Sequence, residues 1–221
     1  MADTRTVLVQ PDRLHGWVER FAAGNGGYSS TSEASQLRIV GENGCTAVLS
    51  SPLTDALAAQ RTLPAAPTTI DSLAAGAPHG AVIGIFLLRR GGYATGVSSA
   101  GTLIASKTGT GYVQSRTAAG GWSQQRFARR RANQASALAH SAAERAAAIF
   151  RAHPPQVLQC GGDQNLAAQA LRERELAPYA GLAHLPFMTV ADPRLRILQE
   201  AAATISAVRI VLTLPLPPAA D

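Results

Sequence analysis

The stretch GGWSQQRFARRR, residues 120–131, places flexible backbone directly before amide and guanidinium side chains. Gly120 and Gly121 lack a Cβ, so the chain can adopt positive φ values there and pass through a narrow space. Gln124 and Gln125 carry amides that can orient a water molecule but do not titrate, so neither is a conventional general base. Arginine side chains bind phosphate oxygens, and this region contains Arg116, Arg126, Arg129, Arg130 and Arg131.

The residues after the glycines have the period of an amphipathic helix, which we predict over about residues 123–153. Ser123 is the expected N-cap, because its hydroxyl can accept a hydrogen bond from a free amide of the first turn. The predicted basic face holds Arg126, Arg129, Arg130 and Arg131, and the predicted apolar stripe holds Phe127, Leu138, Ala142, Ala146, Ile149 and Phe150. Rows of arginine also line solvated faces, so this face contacts either an anionic partner or only water.

The chain before residue 80 is predicted to contain a small folded unit and a connector. Residues 1–53 contain a strand pattern (TRTVLVQ), a helical pattern and two alternating runs around GENG, which predict a small α+β unit with a hairpin. Residues 54–79 mix Ala, Pro, Thr and Gly without a sustained period, and we predict a connector with one short helix.

A second unit is predicted over residues 80–214, followed by a tail at 215–221. It opens with AVIGIFLL and two further β-like stretches, which predict an antiparallel meander of three strands. After the long helix come a strand (PPQVLQCGG), a helix, a short strand (LAHLPFMTV) and a last helix over DPRLRILQEAAATISAVRIVL. This order predicts an α/β unit with helices packed on a mixed sheet, compatible with an RNase H-like architecture.

The composition favours a polyanionic partner. The chain has a formal net charge of +6 and a pI near 10.1, so nucleic acid is the first partner to consider. Cys45 and Cys160 lie far apart and have no CxxC neighbour, so we expect free thiols, no metal site and no other cofactor. The N-terminus lacks a secretory pattern and no apolar run reaches about 18 residues, so we expect a cytoplasmic protein without a membrane partner.

Two other chemistries find little support. A two-metal nuclease of RNase H type needs carboxylates on its sheet, and the first strand of the second unit, AVIGIFLLRR, has none. The segment CGGDQN places Cys160 and Asp163 at a strand end, but no histidine partner for a cysteine nucleophile is evident in the sequence. Asp163 is the expected N-cap of the helix that follows.

The glycine loop and its helix resemble the GGQ loop of archaeal and eukaryotic peptide-chain release factors. The residues kept in the same frame are Gly120, Gly121, Ser123, Arg126, Phe127 and Arg129. Trp122 stands where those proteins have the catalytic glutamine, and glutamines follow two and three residues later. The shifted glutamine resembles the pattern of the Vms-type (ankyrin/zinc-finger-associated) release factors, which clear stalled ribosomes.

The resemblance extends beyond the loop. The segment VLQCGGDQNLAAQAL is similar to a strand–Gly–Gly–helix segment of the release-factor middle domain. The resemblance covers residues 80–214, and the chain looks like a member of the actinobacterial branch of the Vms-type family. Residues 1–53 resemble no family that we can name.

The resemblance implies hydrolysis of the ester between a nascent peptide and its tRNA. Gln124 or Gln125 would orient the water, with Gln124 the first choice, and Gly120 and Gly121 would let the loop reach the ribosomal peptidyl transferase centre. The implied partners are the large ribosomal subunit, its rRNA and peptidyl-tRNA, with no DNA. The arginines would hold the RNA backbone, and Trp122 would either stack on RNA or anchor the loop to its own domain.

Two functions remain open at this point. The chain is either a peptidyl-tRNA hydrolase that rescues stalled ribosomes or a non-catalytic RNA- or ribosome-binding adaptor that retains the fold. The residue that separates them is Trp122, because a strict requirement for glutamine directly after Gly-Gly would favour the adaptor. The presence of Gly-Gly and nearby glutamines in one loop favours the enzyme, because an adaptor would have little reason to keep them together.

Overall fold

The computed structural model describes residues 3–33, 35–59, 67–76, 80–111 and 122–214. They form a mixed α/β structure with two five-stranded sheets, which confirms the predicted fold class. The chain divides into two compact units, one of residues 1–79 with 203–221 and one of residues 80–202. No helix within the described ranges combines the length and apolar character that a membrane span requires.

The described residues contain ten strands and six α-helices. The strands are β1 (Thr4–Val9), β2 (Tyr28–Glu33), β3 (Gln36–Gly41), β4 (Thr46–Ser50), β5 (Ile83–Arg89), β6 (Gly92–Ser99), β7 (Thr102–Thr110), β8 (Val157–Gly162), β9 (Ala183–His184) and β10 (Val208–Thr213). The helices are α1 (Leu14–Asn25), α2 (Pro52–Ala59), α3 (Ile70–Ala74), α4 (Trp122–Ala152), α5 (Gln164–Leu171) and α6 (Leu195–Ile205). Short 3₁₀ turns cover Pro11–Arg13 and Ala177–Tyr179.

The first unit is an antiparallel sheet in the order β1-β10-β4-β3-β2, with α1 against it. Leu14, Val18 and Phe21 recur at helical spacing on α1 and are buried. They pack with alternate residues of the strands, among them Ile39 and Leu49. The helix and the β3–β4 hairpin are therefore as the sequence predicted.

The C-terminal strand differs from the prediction. We predicted a helix through residue 212 within the second unit, but α6 ends at Ile205 and β10 pairs with both β1 and β4. Val208 and Ile210 are buried and Arg209 between them is exposed, which is the period of a strand. The run VRIVLT is also rich in β-branched residues, and this preference overrides the helical pattern before it.

The second unit has its sheet in the order β7-β6-β5-β8-β9. Strands β5, β6 and β7 form the predicted antiparallel meander, and β8 pairs in parallel with both β5 and β9. The order is compatible with an RNase H-like sheet, which stays a prediction.

The long helix α4 covers one face of this sheet with small side chains. Its buried residues in the core are Leu138, Ala139, Ala142, Ala143, Ala146, Ala147 and Phe150. Phe150 is fully buried and meets the ring of Tyr179 edge to face at 5.2 Å. The predicted contacts of Leu138 and Phe150 with the sheet are thus confirmed, whereas Phe127 is only half-buried and lies outside this core cluster.

Three further details differ from the sequence prediction. Strand β2 (YSSTSE) was not predicted, because all its residues are exposed and it carries no apolar alternation. The connector contains two short helices, α2 and α3, rather than one. The helix after β8 ends at Leu171, and the 3₁₀ turn follows where we predicted continuous helix.

Because β10 lies between two strands of the first sheet, the stability of the first unit should depend on the buried side chains of β10. Ile210→Ala removes a fully buried side chain and should lower the free energy of unfolding by about 2–5 kcal/mol. Leu8→Ala on the neighbouring β1 is the control, because Leu8 is 55% exposed, and it should change the free energy by less than about 0.5 kcal/mol. The measurement is urea denaturation followed by tryptophan fluorescence in a Trp122→Phe background. Trp17 of α1 is then the remaining tryptophan, so the signal reports on the first unit. Equal effects of the two substitutions would contradict the placement of β10.

A histidine links α4 to the segment after α5. His140 Nδ1 lies 3.1 Å from Glu173 Oε2, and its Nε2 lies 3.6 Å from Glu144 Oε1. The hydrogen bond to Glu173 is the main cause that raises the pKa of His140 above its usual value, and the negative charges of Glu144, Glu173 and Glu175 add to it.

The raised pKa of His140 predicts a pH-dependent contribution to stability. Because the folded state binds the proton more tightly, the contribution is fully present below the unfolded pKa and is lost as pH rises through the folded pKa. The difference in melting temperature between the parent and His140→Gln should therefore shrink between pH 6 and pH 9. His153→Gln is the control, and a difference for His140→Gln that grows with pH would contradict the assignment.

Candidate functional site

The helix that carries the candidate residues begins at Trp122. Ser123 therefore lies inside the first turn and not at the N-cap, where we predicted it. Gln124 and Gln125 are in this first turn, as predicted, and the side chain of Gln125 is exposed. Arg116, Gly120 and Gly121 lie outside the described residues.

Three of the predicted arginines share one surface groove. Arg126, Arg129 and Arg130 line an open groove of about 540 Å³ along α4. The described lining continues on the same face with Asn133, Gln134 and Ala137. Positions i, i+3, i+4, i+7, i+8 and i+11 form one face of an α-helix, so the helical period alone explains why these side chains meet. We call this surface the α4 groove.

The groove arginines were predicted from the sequence, whereas the two amide side chains of the groove were not. Asn133 and Gln134 continue the same spacing, and that spacing is the signal that could have revealed them. Arg131 is half-buried and is not among the lining residues. Its predicted role in widening the basic face therefore stays a prediction.

The arginines of the groove carry unbalanced charge. Within the described ranges, no carboxylate lies within 4.0 Å of Arg126, Arg129 or Arg130, whereas Arg194 and Arg196 pair with Asp192 and Glu200. Like charges at i, i+3 and i+4 repel one another and destabilise a helix by about 0.2–0.5 kcal/mol per pair. An anion bound in the groove would relieve this repulsion, and backbone phosphates are the anions that such a row fits.

The strand end at CGGDQN does not form a nucleophilic site. The structure does bring a histidine to Cys160, with Nδ1 of His184 3.9 Å from the thiol Sγ, which the sequence could not show. Burial raises the pKa of Cys160 to about 12, so the thiol stays protonated at neutral pH. Asp163 caps α5 as predicted, accepting a hydrogen bond from the amide of Leu166 at 3.1 Å.

One group of side chains in the described part of the chain has the donor set for a metal ion. His140, Glu173 and Glu175 bring one ligand atom each within 4.8 Å of one another. His140 lies one turn beyond Ala137, the last described lining residue of the groove, and none of the three residues lines the groove. His140 is half-exposed and already pairs with carboxylates, so the geometry is explained by ion pairing.

Comparison with known proteins gives a family match that covers nearly all of the second unit and continues into β10. A family model described as the Actinobacteria/chloroflexi VLRF1 release factor matches residues 81–211, which is more than half of the chain. No curated protein matches the sequence. The matched range contains the glycine loop, the whole of α4 and the α4 groove.

The charge of the groove can be tested on ribosomes. The triple variant Arg126→Ala, Arg129→Ala, Arg130→Ala should bind ribosomes more weakly. It should also lower the slope of log K against log salt by about 2–3, because fewer counterions are released when phosphate contacts are lost. The helix should persist, since alanine is the better helix former. Binding measured from 50 to 300 mM salt gives the slope.

The matched control is the double variant Arg145→Ala, Arg151→Ala. Both arginines are exposed on α4 but do not line the groove. This variant should lower the salt slope less than the triple variant does. If the two variants change affinity and slope alike, the α4 groove is a solvated face and not a binding surface.

Proposed function

The chain belongs to the Actinobacteria/chloroflexi VLRF1 release factor family, and we propose that it is a peptidyl-tRNA hydrolase. It cleaves the ester between a nascent chain and its tRNA on the large ribosomal subunit, in the cytoplasm, and so rescues stalled ribosomes. The observation that carries the proposal is the position of two glutamines in the first turn of α4, a few residues after Gly-Gly. They are followed on the same helix by three groove arginines that have no carboxylate partner among the described residues.

The reaction needs a positioned water more than it needs a proton acceptor on the protein. The water oxygen attacks the ester carbonyl carbon, the bond to the ribose oxygen breaks, and that oxygen leaves with a proton. A glutamine amide can accept a hydrogen bond from the water and donate one to a neighbouring oxygen, which fixes the angle of attack. Backbone N–H groups of the loop are suited to stabilise the oxyanion that develops.

Delivery of the amide depends on the elements on either side of it. Gly120 and Gly121 have no Cβ to collide with rRNA in a narrow ribosomal site. Behind them α4 is fixed on the sheet by its buried alanines, so the start of the helix has a defined direction. The arginines of the α4 groove supply sequence-independent contacts to RNA phosphates.

Two glutamines are candidates for the residue that orients the water. Gln124 is the first candidate, because the Vms-type pattern that the loop resembles places the catalytic glutamine after a small residue, here Ser123. Gln125 is the second, since one residue on a helix rotates a side chain by about 100°. Trp122, which replaces the glutamine of the GGQ pattern, contributes either stacking on RNA or anchoring of the loop.

Substitution of the glutamines tests the mechanism. In a peptide-release assay on stalled ribosome–nascent-chain complexes, Gln124→Ala or Gln125→Ala should lower the rate about 10²–10³-fold, as expected when an interaction made in the transition state is lost. Ribosome binding should be unchanged. Gly121→Ala should also slow release, because a Cβ restricts the backbone of the loop.

Gln164→Ala is the matched control, because Gln164 is an exposed glutamine in the first turn of another helix, α5. It should release peptide at the parent rate. If both single variants and the Gln124→Ala, Gln125→Ala double variant also release at that rate, the glutamine mechanism is wrong. If the parent protein binds ribosomes and releases no peptide, the protein is an adaptor rather than a hydrolase.

A further inference from the structure

The α4 groove changes its chemistry along the helix. Its first two turns present the guanidinium groups of Arg126, Arg129 and Arg130, and its next turn presents the amides of Asn133 and Gln134. The side chain of Asn133 is exposed and makes no side-chain hydrogen bond to any of the described residues. Asn133 is therefore available to a partner that already occupies the charged part of the groove.

The two parts of the groove suit different atoms of one ligand. Guanidinium groups recognise the charged oxygens of phosphates. A neutral amide gains less from a phosphate, but it offers both a donor and an acceptor and so matches a group that also does both. In a nucleic-acid backbone that group is the ribose 2′-hydroxyl, which DNA lacks.

The dimensions of the groove fit an extended strand. From position 126 to position 137 the helix rises about 16 Å, which is long enough to follow several consecutive nucleotides of a single strand. The charge of the protein supports a nucleic-acid strand as the occupant, since the net charge is +6 and the groove arginines have no carboxylate partner among the described residues.

We propose that the α4 groove holds the backbone of a single RNA strand, with phosphates on its arginines and a ribose 2′-hydroxyl on Asn133. Asn133 is then a specificity-determining residue that distinguishes RNA from DNA. The proposal deepens the proposed function and rests on it for the source of the RNA, which is the ribosome or its tRNA. Its chemistry is tested with free oligonucleotides.

The experiment measures fluorescence anisotropy of the full chain with a labelled 12-nucleotide single-stranded RNA and with DNA of the same sequence. The parent should prefer RNA by about three- to tenfold, the value of one hydrogen bond. Asn133→Ala should remove most of that preference by weakening RNA binding alone. Its salt slope should equal that of the parent, because no ionic contact is lost.

Two control proteins separate this role from a general loss of binding. Asn165→Ala changes an exposed asparagine of α5 outside the groove and should keep the preference for RNA. The triple variant of Arg126, Arg129 and Arg130 should weaken RNA and DNA alike and lower the salt slope. Circular dichroism confirms that α4 is intact in each variant.

Several results would overturn the proposal. The parent could bind RNA and DNA with equal affinity, or Asn133→Ala could lower the affinities for RNA and DNA equally. An acidic peptide could also displace the RNA at the same concentration as unlabelled RNA does. The peptide-release assay separates this inference from the function it rests on. If Asn133→Ala loses the preference for RNA while the glutamine variants release peptide normally, the RNA-binding inference holds and the glutamine mechanism fails. If Asn133→Ala keeps the preference while the glutamine variants lose peptide release, the mechanism holds and the RNA-binding inference fails.

Discussion

The close packing of small side chains between α4 and its sheet is the contact on which the rest of the second unit depends. Five alanines of α4 are fully buried, so the helix axis approaches the strands more closely than leucines would allow. Beneath the aromatic end of the stripe, a Cβ on Gly84 of β5 would lie 3.0 Å from the ring of Phe150. The contact between helix and sheet therefore leaves little free space, and close packing of this kind resists displacement of the helix.

This packing involves only the C-terminal half of α4. The buried α4 residues begin at Leu138, and half-buried Ala135 also packs against the core, whereas residues 125–134 are exposed or only half-buried. About three to four turns at the N-terminal end of α4 thus extend beyond the core. The C-terminal half of the helix is held by its packing on the sheet. The extended part carries the groove arginines, and their mutual repulsion is tolerated because packing elsewhere along the helix holds it together.

The local patterns of the sequence predicted the elements that form from contacts near in the chain. Helix α1, the β3–β4 hairpin, the three-stranded meander and α4 each show their own period over their own length. Strand β10 could not be assigned to its sheet in this way, because its partners β1 and β4 are more than 150 residues away in the chain. No local sequence pattern indicates which distant strands pair with it. The polar strand β2 gave no apolar alternation to detect.

The candidate site shows the same division. The three groove arginines could be predicted because they repeat on one helix, and the amide of Asn133 follows from the same period once the groove is seen. The approach of His184 to Cys160 joins residues of different elements, so only the structure could reveal it. The reactivity of that thiol was equally hidden, because it depends on burial rather than on neighbours in sequence.

The position of β10 between β1 and β4 in the first sheet has a consequence for the order in which the two units can fold during translation. The first unit is discontinuous, since β1 to β4 are synthesised before residues 80–202 and β10 after them. The second unit has all its strands as soon as residue 202 has left the exit tunnel, and it can fold while the chain is still being made. The sheet of the first unit cannot be completed until β10 emerges, because β10 pairs with both β1 and β4. The second unit is therefore complete before the first unit, whose two segments flank it in the chain.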